Sequence, residues 1–240
     1  EVDLVILSIG IKPNSNLAKD CGIKINQRGG IIVDKNMRTS AQNIWAVGDV
    51  IEIENFITKT PGMIPLAGPA NKQGRIVADN IVKVQQNNNS KLEEYKGSLG
   101  TAVAQVFDLT AASVGTNEKT LISSGSIKNK DYYVALINQK SHAGYYPMAT
   151  TITLKMIFHR SGKILGAQII GQDGVDKRID TIATTIRLGG DVQSLAELEL
   201  CYAPPYSSAK DPVNMLGFVA QNILEGLVSF IEWNEINSQM

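Results

Sequence analysis

The stretch that most constrains this chain runs from Asn43 to Asn80. It opens as a short apolar strand ending in Gly48-Asp49, and after a loop it continues as a predicted helix that starts at Pro65. A glycine at a strand end lets a ligand approach the backbone closely, and the adjoining carboxylate is a strong hydrogen-bond acceptor. A helix start adds free backbone N–H groups and the positive end of the helix dipole. Together these features predict a site for a large, polar, partly anionic cofactor.

Length and composition predict a globular protein of one large or two medium domains. The 240 residues are 43% hydrophobic and 19% charged, and 23 basic residues balance 23 acidic ones. Because no polybasic block is present, nucleic acid and anionic membrane surfaces are not expected partners. Cys21 and Cys201 lie far apart without a CxxC spacing, which favours a reducing cytoplasm over a disulfide framework. No run of about 18 apolar residues suggests a membrane span.

The first part of the chain predicts the end of an α/β domain. Residues 2–9 form a nearly continuous apolar run, which is typical of a parallel-sheet strand buried on both faces. A glycine-containing loop at residues 27–29 predicts a hairpin, and residues 51–63 are expected to be irregular. Apolar residues at three- and four-residue spacing predict a helix over residues 65–84. The polar run at residues 87–90 is the best candidate for a boundary.

After Lys96 the pattern changes to short strands followed by helices, which is typical of an α+β layer. Strands are predicted at residues 101–107, 132–137, 151–158 and 163–170. Ser161-Gly162 joins the last two strands in a predicted hairpin. Helices are predicted at residues 117–124, between Gly174 and Gly189, at 192–198 and at 211–226.

The helix start that follows Gly48-Asp49 reads LAGPANKQGR at residues 66–75. The pair resembles the C-terminal flavin-binding segment of the pyridine nucleotide–disulfide oxidoreductases, in the coenzyme A-disulfide reductase and NADH oxidase branch. This resemblance implies that Gly48 and Asp49 bind the ribityl chain of FAD and that Leu66 and Ala67 face the flavin ring. The alternative for Asp49 is a helix N-cap or a loop carboxylate.

The resemblance also implies a domain organisation. Residues 1–95 would form the end of a nucleotide-binding domain and the C-terminal part of an FAD-binding domain. Residues 96–227 would form a dimerisation domain of antiparallel sheet and helices. Residues 228–240 are interpreted as a tail that starts a linker to a rhodanese domain. Because the chain opens inside a strand pattern and lacks a GxGxxG fingerprint, we interpret it as the C-terminal part of a larger enzyme.

Two loops rich in tyrosine are the candidates for substrate contact: HAGYYP at residues 142–147 and CYAPPYSSAKDP at residues 201–212. A phenol on a stiff loop can donate a hydrogen bond and offer a flat face to an adenine or a thioester-like chain. The second loop resembles a motif of coenzyme A-disulfide reductases whose tyrosines reach the flavin and the reactive cysteine of the other subunit. The resemblance implies catalytic roles for Tyr145 and Tyr202, and Tyr202 would also contact the cofactor.

Five residues are implied as contacts for coenzyme A: Asn71, Arg75, Tyr145, Tyr206 and Lys210. Lys210 would pair with a phosphate, as a compact point charge can. The alternative is that the tyrosines pack a dimer interface, where aromatic residues are enriched. No metal site is predicted, since neither His142 nor His159 has a partner at a catalytic spacing. Neither cysteine matches the redox motif of the family, so the redox cysteine is expected outside this chain.

The function implied by the resemblance is that of an FAD-dependent homodimer. It would use NADH or NADPH to reduce coenzyme A disulfide, or a related disulfide or persulfide, through flavin and a redox cysteine. An NADH oxidase or peroxidase, whose cysteine cycles through sulfenic acid, is the alternative. A third hypothesis is a non-catalytic dimerisation fragment. For this chain alone we expect no turnover and at most weak FAD binding, because half of the flavin site is missing.

Overall fold

The computed structural model describes residues 2–88 and 91–230. The chain divides after Ser98 into two compact units. Residues 231–240 of the predicted tail lie outside the described residues. Among the described residues, no helix has the length and apolar character needed to cross a membrane.

The first unit combines a small mixed sheet with one long helix. In chain order its elements are α1 (Asn16–Asp20), β1 (Ile31–Ile32), a 3₁₀ turn (Gly48–Val50), β2 (Ile51–Glu54), β3 (Pro61–Gly62) and α2 (Ala67–Gln85). Strand β2 lies in the middle, parallel to β1 and antiparallel to β3. The buried apolar core contains Ile23, Ile31, Met37, Ile51, Ile53 and Tyr95.

Helix α2 confirms the predicted helix, but its most buried side chains are amides. Ile76 and Val77 of the predicted stripe pack against the core, whereas Gln73 and Asn80 are the residues of α2 that are almost fully inaccessible. The Asn80 Oδ1 atom accepts a hydrogen bond from the Glu93 N–H at 2.8 Å, and its Nδ2 donates to the Glu93 carbonyl at 2.9 Å. The Asn80 amide therefore pairs with the backbone after α2 much as a neighbouring strand would.

We expect Asn80→Ala to lower the free energy of unfolding of the first unit by about 1–3 kcal/mol, because two part-buried backbone groups of Glu93 would lose their partner. Urea unfolding followed by tryptophan fluorescence measures the change. Asn71→Ala, at an exposed position of the same helix, serves as the control and should shift stability by less than about 0.5 kcal/mol. If both variants lose the same free energy of unfolding, the hydrogen bonds of Asn80 to Glu93 do not stabilise the unit as expected.

The prediction of a buried strand at residues 2–9 is wrong. This segment has no regular secondary structure, and its apolar side chains are exposed, with Val5 at 70% and Ile9 at 89%. A strand of this composition needs neighbours that cover both of its faces. No described strand pairs with it, so the hydrophobic pattern alone does not produce a sheet here.

The strand predicted before Gly48 also differs from the structure. Trp45 makes only an isolated bridge to Arg38, and the regular strand β2 begins at Ile51, in the stretch expected to be irregular. Gly48 adopts a φ of +85°, which interrupts an extended backbone at that point. The predicted hairpin is reduced to a bridge between Ile25 and Ile31, because β1 pairs with the distant β2 instead.

The second unit is a five-stranded antiparallel sheet with helices, and it confirms the predicted fold class. Its elements are β4 (Ala102–Val106), β5 (Leu109–Gly115), α3 (Glu118–Ser123), β6 (Tyr132–Lys140), β7 (Thr151–His159), β8 (Ile164–Gly171), α4 (Val175–Arg187), α5 (Val192–Glu197) and α6 (Pro212–Leu224). The strand order is β4-β5-β8-β7-β6. Strand β5 was not predicted, since its sequence LTAASVG contains few large apolar residues.

Helices α4 and α6 pack against one face of this sheet. Helix α3 covers part of the other face through Leu121 and the Glu118–Lys155 ion pair, and the rest of that face is open. Along β7, Ile152, Leu154 and Met156 are fully buried and alternate with partly exposed residues such as Lys155. The open face forms a concavity of about 510 Å³ lined mainly by small and polar side chains of β4, β5, β7 and β8. The alternation in β7 therefore reflects a sheet with one helix-covered and one partly solvated face.

Candidate functional site

In the first unit, the 3₁₀ turn that contains Gly48 and Asp49 lies against the start of α2. The Gly48 N–H donates to the Oε1 atom of Gln73 at 2.8 Å. A Cβ atom added to Gly48 would lie 3.9 Å from the Cβ of Ala70, so the turn and the helix are in close contact. Asp49 is exposed at the edge of this contact. The structure thus brings together the carboxylate and the helix start that the sequence pointed to.

The first turn of α2 offers backbone donors. Leu66 is the N-cap residue with an extended backbone, and Ala67 is the first helical residue. Among the described residues, no side chain caps this turn, so its leading N–H groups can bind an acceptor from a ligand. Asn71 donates from Nδ2 to the Ala67 carbonyl at 2.9 Å, and Arg75 is exposed one turn further along the helix. These four predicted residues therefore lie along the first turns of α2.

Gln73 is a residue of this site that was missed from sequence. Its side chain is 1% exposed, and it links α2 directly to the backbone of Gly48. The available signal was its spacing, because Gln73 shares the buried stripe of the helix with Ile76 and Asn80. A polar residue in such a stripe indicates a specific hydrogen bond.

In the second unit, the hydroxyl groups of the two tyrosines predicted to be catalytic lie within hydrogen-bond distance of each other. Tyr145 lies in the first tyrosine loop (residues 141–150), and Tyr202 lies in the second tyrosine loop (residues 198–211). Their hydroxyl oxygens are 2.9 Å apart, although the side chains are 77% and 47% exposed. The hydrogen bond to Tyr202 raises the pKa of Tyr145 above its ordinary value. Tyr145 therefore stays protonated at neutral pH, and one O–H of the pair remains able to donate outward.

The other predicted residues of the second tyrosine loop are close in sequence but do not join the pair. Tyr206 is 69% exposed, and its backbone carbonyl accepts a hydrogen bond from the Lys177 Nζ atom at 2.6 Å. Lys210 is exposed near the end of the loop. Both residues are accessible to an anionic ligand.

A buried ion pair lies beneath the two tyrosine loops and was also missed from sequence. Arg178 of α4 donates from Nε and Nη2 to the two carboxylate oxygens of Asp211 at 3.1 and 3.0 Å. It also donates to the carbonyls of Ser141, at 2.8 Å, and Gly174, at 3.0 Å. The Ser207 hydroxyl donates to the same carboxylate. These side-chain hydrogen bonds join α4, the start of α6 and both tyrosine loops.

A signal for Arg178 was present in the sequence. Arg178 falls between Val175 and Ile179 in the apolar stripe of α4, and it is 1% exposed. A charge at such a position is almost always paired. Gly174 is required here, because a side chain at this residue would collide with the Arg178 guanidinium and the backbone φ is +68°.

Acid is expected to weaken the second unit through Asp211. Burial disfavours its charge, but the hydrogen bonds and charge of Arg178, together with the Ser207 hydroxyl and the Val213 N–H, hold the pKa of Asp211 below its ordinary value. Because the folded-state pKa is depressed, this stabilisation is complete above the unfolded-state pKa of about 4 and is lost as pH falls through the folded value.

Thermal unfolding by circular dichroism across pH tests this expectation. The Tm of the wild type should decrease as the pH is lowered below about 4, where the carboxyl group of the unfolded chain begins to bind protons. In Asp211→Asn, which keeps an acceptor for the helix cap, the fall should be shallower. If Tm depends on pH identically in the two proteins, Asp211 is not the cause of the lower stability in acid.

The histidines and cysteines are assigned no chemical role in the candidate site. His142 is 5% exposed, and its Nε2 donates to the Pro147 carbonyl at 3.0 Å within the first tyrosine loop. Cys21 and Cys201 are exposed free thiols. Within residues 2–88 and 91–230, no group of three or more histidine, cysteine or acidic side chains is arranged to hold a metal ion.

The two halves of the chain match two family models. Residues 1–74 match the model described as pyridine nucleotide-disulphide oxidoreductase, and residues 101–212 match the dimerisation domain of the same family. Both models describe one family and together cover most of the chain. The chain therefore belongs to the pyridine nucleotide-disulphide oxidoreductases, and its second unit corresponds to their dimerisation domain.

Individual proteins that resemble this chain are named as reductases of coenzyme A disulfide or of persulfides. The coenzyme A disulfide reductase of Staphylococcus epidermidis is 37% identical over 220 residues, which are 91% of this chain and 48% of that protein. A solved structure of reduced CoADR-RHD from Bacillus anthracis is 50% identical with a TM-score of 0.90, covering 98% of this chain and 41% of that one. An NAD-dependent persulfide reductase from A. fulgidus is 40% identical with a TM-score of 0.88, covering 100% and 42%. The chain spans about half the length of the curated relatives it matches.

Proposed function

We propose that this chain is part of an FAD-dependent NAD(P)H oxidoreductase that reduces coenzyme A disulfide, or a related disulfide or persulfide, as a homodimer. The observation that carries this proposal is the pair of exposed tyrosine hydroxyls 2.9 Å apart. Such a pair can donate a hydrogen bond to a sulfur that gains negative charge when an S–S bond breaks. The similarity to a coenzyme A disulfide reductase and to a persulfide reductase supports the same substrate class.

The residues of the first unit fit a flavin dinucleotide. The leading N–H groups of α2 can donate to carbonyl or phosphate oxygens, and the exposed Asp49 carboxylate can accept from hydroxyl groups of a sugar-like chain. We propose Gly48, Asp49, Leu66 and Ala67 as contacts for FAD, and we propose that Tyr202 contacts the FAD that the other subunit of the dimer binds. When bound, the flavin would accept a hydride from NADH or NADPH and pass two electrons on.

The exposed polar residues are proposed as contacts for coenzyme A. Asn71 and Arg75 would bind its polar groups, Tyr206 would offer a flat face, and Lys210 would bind a phosphate. In the balanced reaction, NAD(P)H and one proton supply two electrons to coenzyme A disulfide. The S–S bond breaks, and NAD(P)⁺ and two thiols form. Tyr145 and Tyr202 would stabilise the thiolate that leaves.

We further propose self-association through the second unit and a cytoplasmic location. The match of residues 101–212 to a dimerisation domain supports the first. The two exposed free thiols, Cys21 and Cys201, support a reducing compartment, where such thiols stay reduced.

Anaerobic assays of the full-length enzyme that carries this chain test the proposed substrate. We expect coenzyme A disulfide to support continuous NAD(P)H oxidation with two thiols released per NAD(P)H, because the disulfide takes both electrons. Coenzyme A persulfide and hydrogen peroxide are compared with the disulfide at equal concentrations, and oxygen is added at the same concentration in a separate assay. Consumption of NAD(P)H with oxygen alone, and none with coenzyme A disulfide, would favour the oxidase alternative instead.

The 240-residue chain by itself provides a second comparison. We expect it to show no NAD(P)H oxidation and little FAD retained after gel filtration, because it would supply only part of the flavin site. A purified sample that is yellow and oxidises NADH would contradict this expectation.

A further inference from the structure

The hydrogen bond between the two tyrosines is too weak to hold them together by itself. Both side chains are substantially exposed, and water competes for each hydroxyl, so a single hydrogen bond contributes at most about 0.5–1.5 kcal/mol. The two residues lie in separate loops, 57 positions apart in sequence. Their approach to 2.9 Å therefore depends on how the backbones of the two loops are fixed.

The buried ion pair between Arg178 and Asp211 is the part of the unit that joins these backbones. Arg178 holds the first tyrosine loop through the Ser141 carbonyl, and Asp211 holds the second through the Ser207 hydroxyl. The loops are also bonded to each other directly, since the Ala143 N–H donates to the Ser207 carbonyl at 2.9 Å. This bond lies two residues from Tyr145, so a shift of Ser207 would be transmitted to the tyrosine.

We propose that Arg178, Asp211 and Ser207 are positioning residues: their buried network fixes the two tyrosine loops at the separation that lets the Tyr145 and Tyr202 hydroxyls meet. The inference rests on the proposed function only in taking the tyrosine pair as part of the substrate site. The three residues are 1%, 4% and 1% exposed, so they act through the backbone and do not touch a ligand.

The chemistry of the network suits this role. The guanidinium presents its donors in a rigid planar fork, so it can bind the Asp211 carboxylate with two atoms and still reach two carbonyls. A lysine would offer one point charge and could not bridge the same partners. Asp211 in turn accepts from the Val213 N–H and caps α6, which ties the network to a rigid helix.

The test follows the ionisation of individual tyrosines in the 240-residue chain by NMR, with isotope-labelled tyrosine rings. Signals of Tyr145 and Tyr202 are assigned from the Tyr145→Phe and Tyr202→Phe variants. In the wild type, the titration midpoint of Tyr145 should lie above its midpoint in Tyr202→Phe, because the hydroxyl pair is present. In Ser207→Ala and in Asp211→Asn, the Tyr145 midpoint should move down toward the Tyr202→Phe value.

A double-variant cycle separates positioning from general loss of structure. In the Tyr202→Phe background, Ser207→Ala should not change the titration midpoint of Tyr145 further, because Tyr145 then has no hydroxyl partner at residue 202. Ser207→Thr, which keeps the hydroxyl, should restore the wild-type midpoint. Ser207→Ala removes only one oxygen atom and is therefore the milder change. It tests whether the network positions the tyrosines even if Asp211→Asn does not fold.

Glu118→Gln is the matched control. Glu118 forms a separate cluster with Lys155 and accepts from the Tyr132 hydroxyl, and burial together with Glu118 raises the pKa of Tyr132. This variant should lower the Tyr132 midpoint and leave Tyr145 unchanged.

The proposal is overturned if Ser207→Ala and Asp211→Asn fold and keep the wild-type midpoint of Tyr145, or if Tyr202→Phe leaves that midpoint unchanged. The measurement needs neither flavin nor nucleotide. Its outcome is therefore independent of whether coenzyme A disulfide proves to be the substrate.

Discussion

Replacing Arg178 with alanine is expected to lower the free energy of unfolding of the second unit by about 3–5 kcal/mol. The variant leaves the Asp211 carboxylate buried without its cation, and it also removes the donors to the Ser141 and Gly174 carbonyls. A loss of this order is a large fraction of the total stability for a domain of this size. We therefore expect the sheet-and-helix unit to be partly unfolded at physiological temperature in this variant.

Chemical denaturation followed by circular dichroism measures this effect, and the exposed Arg160 in the β7–β8 turn supplies the control. Arg160→Ala should change the unfolding free energy by less than about 0.5 kcal/mol. A second comparison pairs Arg178→Met with Asp211→Leu, which removes both charges at once. The double variant should recover part of the loss, because no charge remains buried alone. A loss of less than about 1 kcal/mol in Arg178→Ala would show that the pair is not a main anchor of the unit.

Replacing Tyr202 with phenylalanine is expected to lower kcat/KM for coenzyme A disulfide by roughly 10²-fold in the full-length enzyme, in line with the loss of one hydrogen-bond donor to developing charge. The phenyl ring keeps its shape and packing, so the change isolates the hydroxyl. Reduction of the flavin by NAD(P)H, measured by stopped-flow absorbance, should change far less, because the phenyl ring is retained next to the proposed FAD and the hydroxyl is proposed to act at the disulfide step.

Tyr145→Phe should give a smaller loss than Tyr202→Phe, and the two together should cost less than the sum of the single changes, because one hydrogen-bonded pair is removed in each case. Tyr133→Phe is the control. Tyr133 packs against Phe158 in the sheet, with the ring centroids 5.9 Å apart, and is not part of either loop. Wild-type turnover in both Tyr202→Phe and Tyr145→Phe would remove the catalytic assignment and leave the tyrosines as interface residues.

The second unit was more predictable from sequence than the first, and the reason is physical. Its helices carry their own signals, such as the proline at the first position of α6 and the apolar stripe of α4. Neighbouring strands β7 and β8 are joined by a short turn at Ser161-Gly162, so their pairing is local. In the first unit, β1 pairs with β2 across 20 residues, and a short strand carries no signal for so distant a partner.

The residues of the candidate site were likewise predictable from sequence only in part. Glycine, carboxylate and tyrosine motifs are visible in the sequence because their chemistry is unusual at those positions. Gln73 and Arg178 were missed because each lies within an apolar helix stripe that is typical of ordinary core. Their roles depend on partners such as Gly48 and Asp211, which are far away along the chain. Only the folded backbone brings these groups within hydrogen-bond distance.

The two accessible sulfhydryls provide one labelling position in each half of the molecule. Cys21 ends helix α1 in the first unit, and Cys201 adjoins Tyr202 in the second. Because they are the only cysteines in the 240-residue sequence, maleimide-linked spin labels or fluorophores would attach one to each unit without further engineering. The distribution of distances between the labels would then report whether the two units keep a fixed separation in solution.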